Sequence, residues 1–180
     1  MKLDLTITGG ELKGMHFYSP QTDITHPMST KIKQSIFNMI GDTPKFSVLD
    51  VFAGSGSLGF ESISRGASSV TFVDNDFKAC DSIKSSITKL AVSEKCKVLK
   101  LNHNSFLGIN QKQFDIIFID PPYKKIPEDL SRFSALLVKN GLLVVSIPLS
   151  FEDKINKMFL NLNKLKRKSF GGSLIIIYKK

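Results

Sequence analysis

Residues 50–59 read DVFAGSGSLG, and this stretch decides the predicted fold. It follows the strand-like residues 46–49 and opens a helix-like segment, and Gly54, Gly56 and Gly59 have the spacing G-x-G-x-x-G. Glycine is needed where a turn is tight and where a ligand approaches the backbone closely. A strand, a glycine turn and a helix in this order predict a binding site for a nucleotide-like cofactor.

An acidic residue lies where such a cofactor would need one. Asp74 ends the next strand-like run, SVTFVD, 20 residues after Gly54. A carboxylate at this place can accept hydrogen bonds from both ribose hydroxyls of a nucleoside. Asp74 could instead cap a helix, although Asp76 fits that role better. We therefore predict that Asp74 binds the ribose.

Strand-like and helix-like segments alternate along the rest of the chain. After the glycine turn the order is helix, strand, helix and the strand KVLKL, followed by the strand FDIIFID, a helix over residues 127–138 and the strand LLVVSI. A helix over residues 151–160 then precedes two strands that meet at Gly171-Gly172 as an antiparallel hairpin. This order predicts an α/β fold with a mostly parallel sheet and helices on both faces.

A short extension precedes this alternating core. Residues 5–17 alternate around Gly9-Gly10, which predicts a basic β-hairpin, and Ser29 can cap the helix that follows. A chain of this length and apolar content is expected to form a single core. The expected unit is a single domain over residues 1–180, with a hairpin-and-helix extension over 1–45 and a Rossmann-like core over 46–180.

The amino-acid composition indicates which cellular compartment and which kind of binding partner to expect. The 180 residues are 42% hydrophobic, contain no run of about 18 apolar residues and begin without a leader-like pattern, so we expect a cytoplasmic protein. The net charge of +9 comes from 25 Lys and Arg residues, only three of them Arg. This charge favours a nucleic acid, but an A/T-rich genome would give the same lysine bias. The two cysteines are too few for a zinc cluster, and no metal is expected.

The tetrapeptide Asp120-Pro121-Pro122-Tyr123 distinguishes between two cofactors, a dinucleotide and S-adenosylmethionine, that would both fit the glycine loop. It follows a predicted parallel strand, at the end of the strand where ligands bind. Proline donates no hydrogen bond, so Asp120 and nearby carbonyls present acceptors to an amine, and Tyr123 offers a face on which a base can stack. A proline-rich turn is usually structural, but beside a glycine loop it predicts methyl transfer to an exocyclic amine.

Asn102 and the histidines are less specific signals. Asn102 follows the third core strand, where it either contacts the adenine or makes a turn, and its turn preference leaves both roles open. We interpret His16, His26 and His103 as structural or RNA-facing, because methyl transfer to a well-placed amine needs no imidazole.

Together, these motifs resemble the bacterial family of 16S ribosomal RNA guanine-N2 methyltransferases, methyltransferase D of the small subunit, over nearly the whole chain. The resemblance rests on TGGELKG, HPMSTKIKQSIFN, DVFAGSGSLGFESISRGA, VDND, DPPY and FGGSLIIIYKK. It implies a class I methyltransferase fold, whose Rossmann-like sheet has seven mostly parallel strands with the last one antiparallel. It also implies S-adenosylmethionine as the cofactor and N2-methylguanine at position 966 of 16S RNA as the product.

The resemblance also implies roles for individual residues. The family usually reads Arg-Pro-Thr where this chain has His26-Pro27-Met28, and a His lacks the permanent charge and the fork of Arg. Asp74 likewise replaces a more frequent Glu. The implied catalytic residues are Asp120, Pro121, Pro122 and Tyr123, and the implied cofactor contacts are Asp50, Phe52, Gly54, Gly56, Asp74 and Asn102. With RNA as the substrate, we expect contacts from Lys13, His26, Lys31 and Lys33.

Other functions stay open at this point. A methyltransferase of the same chemistry could act on DNA adenine or on a protein amide, because DPPY matches the planar amine and not its carrier. The chain shows no added target-recognition domain, which argues against DNA. A dinucleotide oxidoreductase would leave DPPY without a purpose, and a non-enzymic RNA-binding module would bind RNA without turnover. The expected partner is 16S rRNA or the small ribosomal subunit, with no membrane, and nothing requires more than a monomer.

Overall fold

The structure is a computed structural model that describes residues 2–20 and 28–180. Its strands are β1 Lys2–Thr6, β2 His16–Ser19, β3 Ser47–Val51, β4 Ser69–Asp74, β5 Cys96–Lys100, β6 Phe114–Ile119, β7 Leu137–Pro148, β8 Asn163–Phe170 and β9 Ser173–Lys179. Its α-helices are α1 Thr30–Ile40, α2 Ser57–Ser64, α3 Phe77–Lys89, α4 His103–Ile109 and α5 Glu152–Met158. Short 3₁₀ segments cover Ser93–Lys95, Leu130–Leu136 and Leu149–Phe151.

Seven strands form one sheet in the order β5-β4-β3-β6-β7-β9-β8. The first five strands in this order are parallel, whereas β9 is antiparallel to both of its neighbours. The order reverses at β3, which lies between β4 and β6, and ligands bind outside such a switch point. The predicted α/β fold, with seven strands and a single antiparallel one, is confirmed.

Helices cover both faces of the sheet and divide the core into two layers. On one face, α1, α2 and α3 pack against apolar side chains that include Phe72 and Phe118. On the other face, α4, α5 and the segment Leu130–Leu136 pack against residues that include Ile117 and Ile176. The central strands are therefore apolar on both sides, as is typical of a buried parallel sheet.

The N-terminal hairpin of β1 and β2 is pinned to α2 by one buried carboxylate. The fully buried Glu61 accepts hydrogen bonds from the Thr8 backbone N–H at 2.9 Å and from the Thr8 hydroxyl at 2.8 Å. The ammonium of Lys33, on α1, lies 3.2 Å from the same carboxylate, and Arg65 donates to it at 3.0 Å. Burial acts to raise the pKa of Glu61, but the donors from Thr8 and the charge of Lys33 hold it below its ordinary value. The hairpin, α1 and α2 thus share one polar junction.

Two elements differ from the sequence prediction. The helix predicted over residues 127–138 is wrong: a 3₁₀ segment covers Leu130–Leu136, and β7 already begins at Leu137. Asn140 has a φ of 65° inside β7, so the Asn-Gly pair marks an irregularity of the strand and not a helix end. The helix α4 was missed because only its Phe106 is buried, which leaves no apolar periodicity to detect.

None of the described helices has both the length and the apolar character that a membrane crossing requires. Within residues 2–20 and 28–180, no three His, Cys, Asp or Glu side chains come together in a way that could hold a metal ion.

Candidate active site

The glycine loop between β3 and α2 has an open side and a packed side. Gly54 has a φ of 55°, and a Cβ built on it would meet only the Phe52 carbonyl oxygen, at 3.9 Å. A Cβ on Gly59 would lie 2.1 Å from the Phe72 ring, and one on Gly56 would lie 2.9 Å from the Phe60 ring. Gly56 and Gly59 are therefore required for packing of α2, whereas Gly54 leaves room for a ligand at the backbone.

Asp50 lies beneath this loop and is almost completely buried. Its Oδ2 accepts a 3.0 Å hydrogen bond from the Gly59 backbone N–H, in the first turn of α2. Burial raises the pKa of Asp50 well above its ordinary value, and the charges of Asp120 and Asp74 raise it further. The geometry gives Asp50 the role of holding the start of α2, and its predicted contact with a cofactor stays a prediction.

Asp74, at the end of β4, connects the loop to the next helix. Its Oδ2 accepts a 2.8 Å hydrogen bond from the Gly54 backbone N–H, and its Oδ1 accepts one of 2.9 Å from the Asp76 backbone N–H. Burial raises the pKa of Asp74, which these backbone donors partly counteract. The side chain of Asp76 caps α3 by accepting from the Ala79 N–H at 2.9 Å. Helix capping, the alternative role considered for Asp74, thus belongs to Asp76.

A cleft opens at the carboxyl ends of β3, β4 and β5. The Phe52 and His103 rings lie 5.4 Å apart in this cleft, at an angle of 43°. The Asn102 Oδ1 accepts a 2.8 Å hydrogen bond from the Ser105 N–H and so caps α4, which leaves its NH₂ group for other partners. The lining residues are Val51, Phe52, Val73, Asp74, Asn75, Leu101, Asn102 and His103. Three of the predicted cofactor residues, Phe52, Asp74 and Asn102, therefore share one cleft.

The tetrapeptide follows β6, on the other side of β3 from Asp74. Asp120 is half-buried, and burial raises the pKa of its carboxyl to about 6, although the Ser146 hydroxyl acts to lower it. The Tyr123 hydroxyl lies 3.1 Å from the Ser146 Oγ, while 41% of the tyrosine surface is exposed. Ser146 therefore lies beside both Asp120 and Tyr123 at this edge of the sheet.

Sequence reasoning missed the contribution of Ser146 and the contacts of His103. Ser146 lies near the carboxyl end of β7, so a polar residue near the end of the run LLVVSI was the signal that could have identified it. His103 Nε2 lies 3.0 Å from Asp129 Oδ1, which joins α4 to the segment that follows the tetrapeptide. This contact gives His103 a structural role, one of the two roles considered for it, and contact with RNA stays a prediction. No signal in the sequence connects His103 with Asp129.

The four residues expected to contact RNA differ in their surroundings. Lys33 is buried, and its ammonium pairs with Glu61 and donates to the Thr6 carbonyl at 2.7 Å, so its expected role in RNA contact is wrong. Lys13 is exposed, but its loop docks against the last turn of α2, away from the glycine loop. Lys31 is exposed in the first turn of α1. His26 lies outside the described residues.

The charges at this edge of the sheet suit a cationic ligand. Asp74 ends β4, Asp120 follows β6, and Asp50 lies one residue before the end of β3 between them, where the other two carboxyls affect it electrostatically. S-adenosylmethionine carries a sulfonium and an ammonium group, and opposite charges nearby favour both. The open backbone at Gly54 and the free acceptor capacity of Asp74 fit the remaining ribose and adenine parts. The residues present therefore fit this cofactor.

Solved structures define the class of this fold as the class I methyltransferases. A candidate methyltransferase from Escherichia coli, yhhF, matches with a TM-score of 0.87 at 24% identity, over 98% of this chain and 97% of that chain. A candidate methylase from Haemophilus influenzae, HI0767, matches with a TM-score of 0.75 at 27% identity, over 97% of each chain. The candidate methyltransferase SMU.776, solved in complex with SAH, matches at 0.67 and 17% identity, over 83% of this chain and 48% of that chain.

The sequence comparisons narrow the class to a family. The family model described as Conserved hypothetical protein 95 matches residues 5–179, and the chain belongs to this family. A relative named as a candidate rRNA methyltransferase, YlbH of Bacillus subtilis, is 33% identical over 98% of this chain and 99% of its own. Ribosomal RNA small subunit methyltransferase D of Buchnera aphidicola is 33% identical over 86% of this chain and 79% of its own. The family resemblance predicted from the motifs is confirmed.

Proposed function

We propose that this protein transfers a methyl group from S-adenosylmethionine to the exocyclic N2 amine of a guanine in 16S rRNA, at position 966 that the family resemblance implies. The observation that carries the proposal is the placement of Asp120 and Tyr123, with Ser146 beside both, at the carboxyl edge of the sheet, one strand away from the cleft of Phe52 and Asp74. The relatives that are named as rRNA methyltransferases support the substrate class.

The cleft side of the site would hold the cofactor. The Asp74 carboxylate would accept from the ribose hydroxyls, the NH₂ group of Asn102 and the Phe52 ring would meet the adenine side, and the backbone at Gly54 would lie against the ligand. S-adenosylmethionine supplies the methyl group and carries the positive charge that the neighbouring carboxylates favour. Asp50, through the Gly59 N–H, would keep the loop in the shape that this requires.

The tetrapeptide side would hold the target amine. The nitrogen of an exocyclic amine shares its lone pair with the ring, so acceptors on its hydrogens increase its electron density and fix its direction. The ionised Asp120 carboxylate would accept the proton that the nitrogen loses as its bond to the methyl carbon forms, while the bond from that carbon to the sulfonium sulfur breaks and S-adenosylhomocysteine leaves. Pro121 and Pro122 donate no competing hydrogen bond, and the exposed ring of Tyr123 would stack on an extruded base, for about 1 to 3 kcal/mol.

The test combines labelled S-adenosylmethionine with small ribosomal subunits from a strain that lacks this enzyme, followed by nucleoside mass spectrometry and mapping of the methylated base. We expect N2-methylguanine at position 966. Asp120→Ala should abolish transfer and leave the affinity for S-adenosylhomocysteine, measured by calorimetry, within about threefold of wild type, because Asp120 would contact the amine and because S-adenosylhomocysteine lacks the sulfonium charge.

Each alternative function gives a different result in the same experiment. Transfer to DNA adenine or to a protein amide, with none to rRNA, would overturn the proposed substrate but keep the chemistry. If protein that binds both RNA and S-adenosylhomocysteine transfers no methyl group, the proposed catalysis would be overturned. Full transfer by Asp120→Ala would overturn the role of the tetrapeptide.

A further inference from the structure

The positive charge of this protein is concentrated at its C-terminal end. Residues 161–180 contain six Lys or Arg residues and no Asp or Glu, whereas residues 1–160 contain nineteen Lys or Arg residues against sixteen Asp or Glu. Two thirds of the net charge of +9 therefore lies on β8, β9 and their flanking residues.

The strand β8 carries most of this charge, and it is an edge strand of the large sheet. A register shift at Leu165 divides its cations between the two faces of the sheet. Lys166 and Lys168 pair with Ile177 and Ile175, whose side chains lie in the core on the α1 face. Lys164 and Arg167 pair with residues of the other core layer and so point to the α5 face. Both sides of the edge are therefore positive.

The cations on β8 differ in whether their charge is compensated. Arg167 forms a bidentate salt bridge with Glu152, with both N–O distances at 2.6 Å. The Lys166 ammonium donates to the Met39 carbonyl, a neutral group that leaves its charge uncompensated. Within residues 2–20 and 28–180, no carboxylate lies within ion-pair distance of Lys164, Lys166 or Lys168. These three exposed lysines, the β8 lysines below, present net charge to solvent.

The β8 lysines lead towards the candidate active site. The strand ends at the turn before β9, where Gly172 accepts a 2.8 Å hydrogen bond from the Leu149 N–H and Ser173 pairs with Pro148. Pro148 ends β7 two residues after Ser146, which contacts Tyr123. The C-terminal end of β8 therefore lies at the same edge of the sheet as the tetrapeptide. A polyanion with one nucleotide at Asp120 could extend from there along β8.

We propose that Lys164, Lys166 and Lys168 bind the phosphate backbone of the RNA substrate beside the target nucleotide, which rests on the proposed function. Lys166 and Lys168 lie about 6.8 Å apart on one face of β8, and Lys164 lies on the other face near the start of this strand of about 26 Å, so a phosphate backbone that follows the exposed edge can contact all three. Contacts of this kind carry affinity and position the RNA but do not read its sequence. This surface, and not the loop that carries Lys13, supplies the main electrostatic contact.

A matched pair of triple variants tests this proposal. Lys164→Gln/Lys166→Gln/Lys168→Gln removes the β8 lysines, and Lys84→Gln/Lys95→Gln/Lys97→Gln removes three exposed lysines at the β5 edge, roughly 29 Å away across the sheet. Both variants lose the same net charge. The measured quantities are the Kd for 16S RNA at several salt concentrations, the Kd for S-adenosylhomocysteine and the thermal melting curve. A double variant, Lys164→Gln/Lys168→Gln, keeps the Lys166 contact with Met39 in case the triple variant is unstable.

We expect the β8 variant to bind RNA on the order of tenfold more weakly at low salt, with a slope of log Kd against log salt smaller by about 2, as three lost contacts to single-stranded RNA would give. The β5 variant and the cofactor affinity of both should stay near wild type. Equal losses in the two variants would overturn the proposal, since total charge alone would then explain binding. Loss of binding to whole subunits with unchanged binding to naked RNA would also overturn it, in favour of a protein partner. If wild-type protein methylates no RNA, the proposed function itself fails.

Discussion

The backbone N–H of Gly54 donates a 2.8 Å hydrogen bond to Oδ2 of Asp74, which joins the glycine loop after β3 to the carboxylate at the end of β4. Each carboxylate oxygen can accept more than one hydrogen bond, so this contact leaves Asp74 able to accept from a ligand as well. The shape of the loop and the recognition of a ribose thus depend on the same side chain.

Asp74→Ala is expected to weaken binding of S-adenosylhomocysteine by about tenfold to a hundredfold, because each hydrogen bond to a charged group contributes about 1.5 to 3 kcal/mol. Isothermal titration measures this directly. Asp76→Ala is the matched control, since it removes the cap of α3, costs about 1 kcal/mol of stability and leaves the cofactor contact intact. An Asp74→Ala protein with wild-type affinity would show that the ribose assignment is wrong.

The pH dependence of methyl transfer follows from Asp120, whose pKa burial raises to about 6. Only the ionised carboxyl brings negative charge to the amine, so kcat/KM should fall about tenfold per pH unit below 6 and stay level between 7 and 8. Initial rates measured from pH 5 to 8 on 16S RNA test this. A rate that stays level down to pH 5 would contradict the role of Asp120.

The stability of the fold should respond to Asp120 in the opposite direction. Since the folded pKa lies above the ordinary value of 3.8, the folded state holds this proton more tightly than the unfolded chain does. The contribution of Asp120 to stability is therefore largest below pH 4 and falls as the pH rises through about 6. Circular dichroism should therefore show a folded protein at pH 5. The loss of rate at that pH would then come from protonation of Asp120 and not from unfolding.

Ser146 is expected to set the pH below which kcat/KM falls. Ser146→Ala removes the hydroxyl that lowers the pKa of Asp120 and contacts Tyr123. The fall of kcat/KM should therefore begin at a higher pH. The value of kcat should also fall, while the affinity for S-adenosylhomocysteine stays the same. Ser146→Thr keeps a hydroxyl and suits a strand, and it should restore the wild-type profile. If the alanine variant only melted earlier and kept the wild-type pH profile, Ser146 would be a packing residue.

The alternation of strands and helices, the glycine loop and the tetrapeptide are local patterns, and for this reason the sequence predicted them. Gly54, Asp74 and Asp120 each follow or end a buried parallel strand, and the carboxyl ends of such strands meet at one edge of the sheet. The motif spacing alone therefore placed these three residues near one another.

Contacts between segments distant in the sequence could not be predicted in this way. Lys33 precedes Ile36 and Phe37 by three and four residues, so helical spacing already puts it on the apolar face of α1, but a local pattern cannot show that it meets Glu61 there. The link from His103 to Asp129 spans 26 residues, and the helix that begins at His103 has one buried side chain. Both features depend on tertiary packing, which a local pattern does not encode.

Lys31 and Lys33 provide the last test, because the structure assigns them opposite roles although they are two residues apart on α1. Lys33→Met leaves the fully buried Glu61 without one of its cations, and breaking such a pair costs about 3 kcal/mol or somewhat less here, since Arg65 still donates to Glu61. Urea denaturation should show this loss for Lys33→Met and less than about 0.5 kcal/mol for the exposed Lys31→Met.

RNA binding by these two variants should show the reverse order. Lys31 is exposed in the first turn of α1. Lys31→Met should therefore lower the slope of log Kd against log salt by up to the amount that one phosphate contact contributes. Lys33→Met, measured at a temperature where it is fully folded, should keep the wild-type salt dependence because its ammonium has no access to phosphate. If Lys33→Met were as stable as wild type, the buried junction at Glu61 would not hold the hairpin. If it instead lost a phosphate contact while folded, α1 would have to release Lys33 when RNA binds.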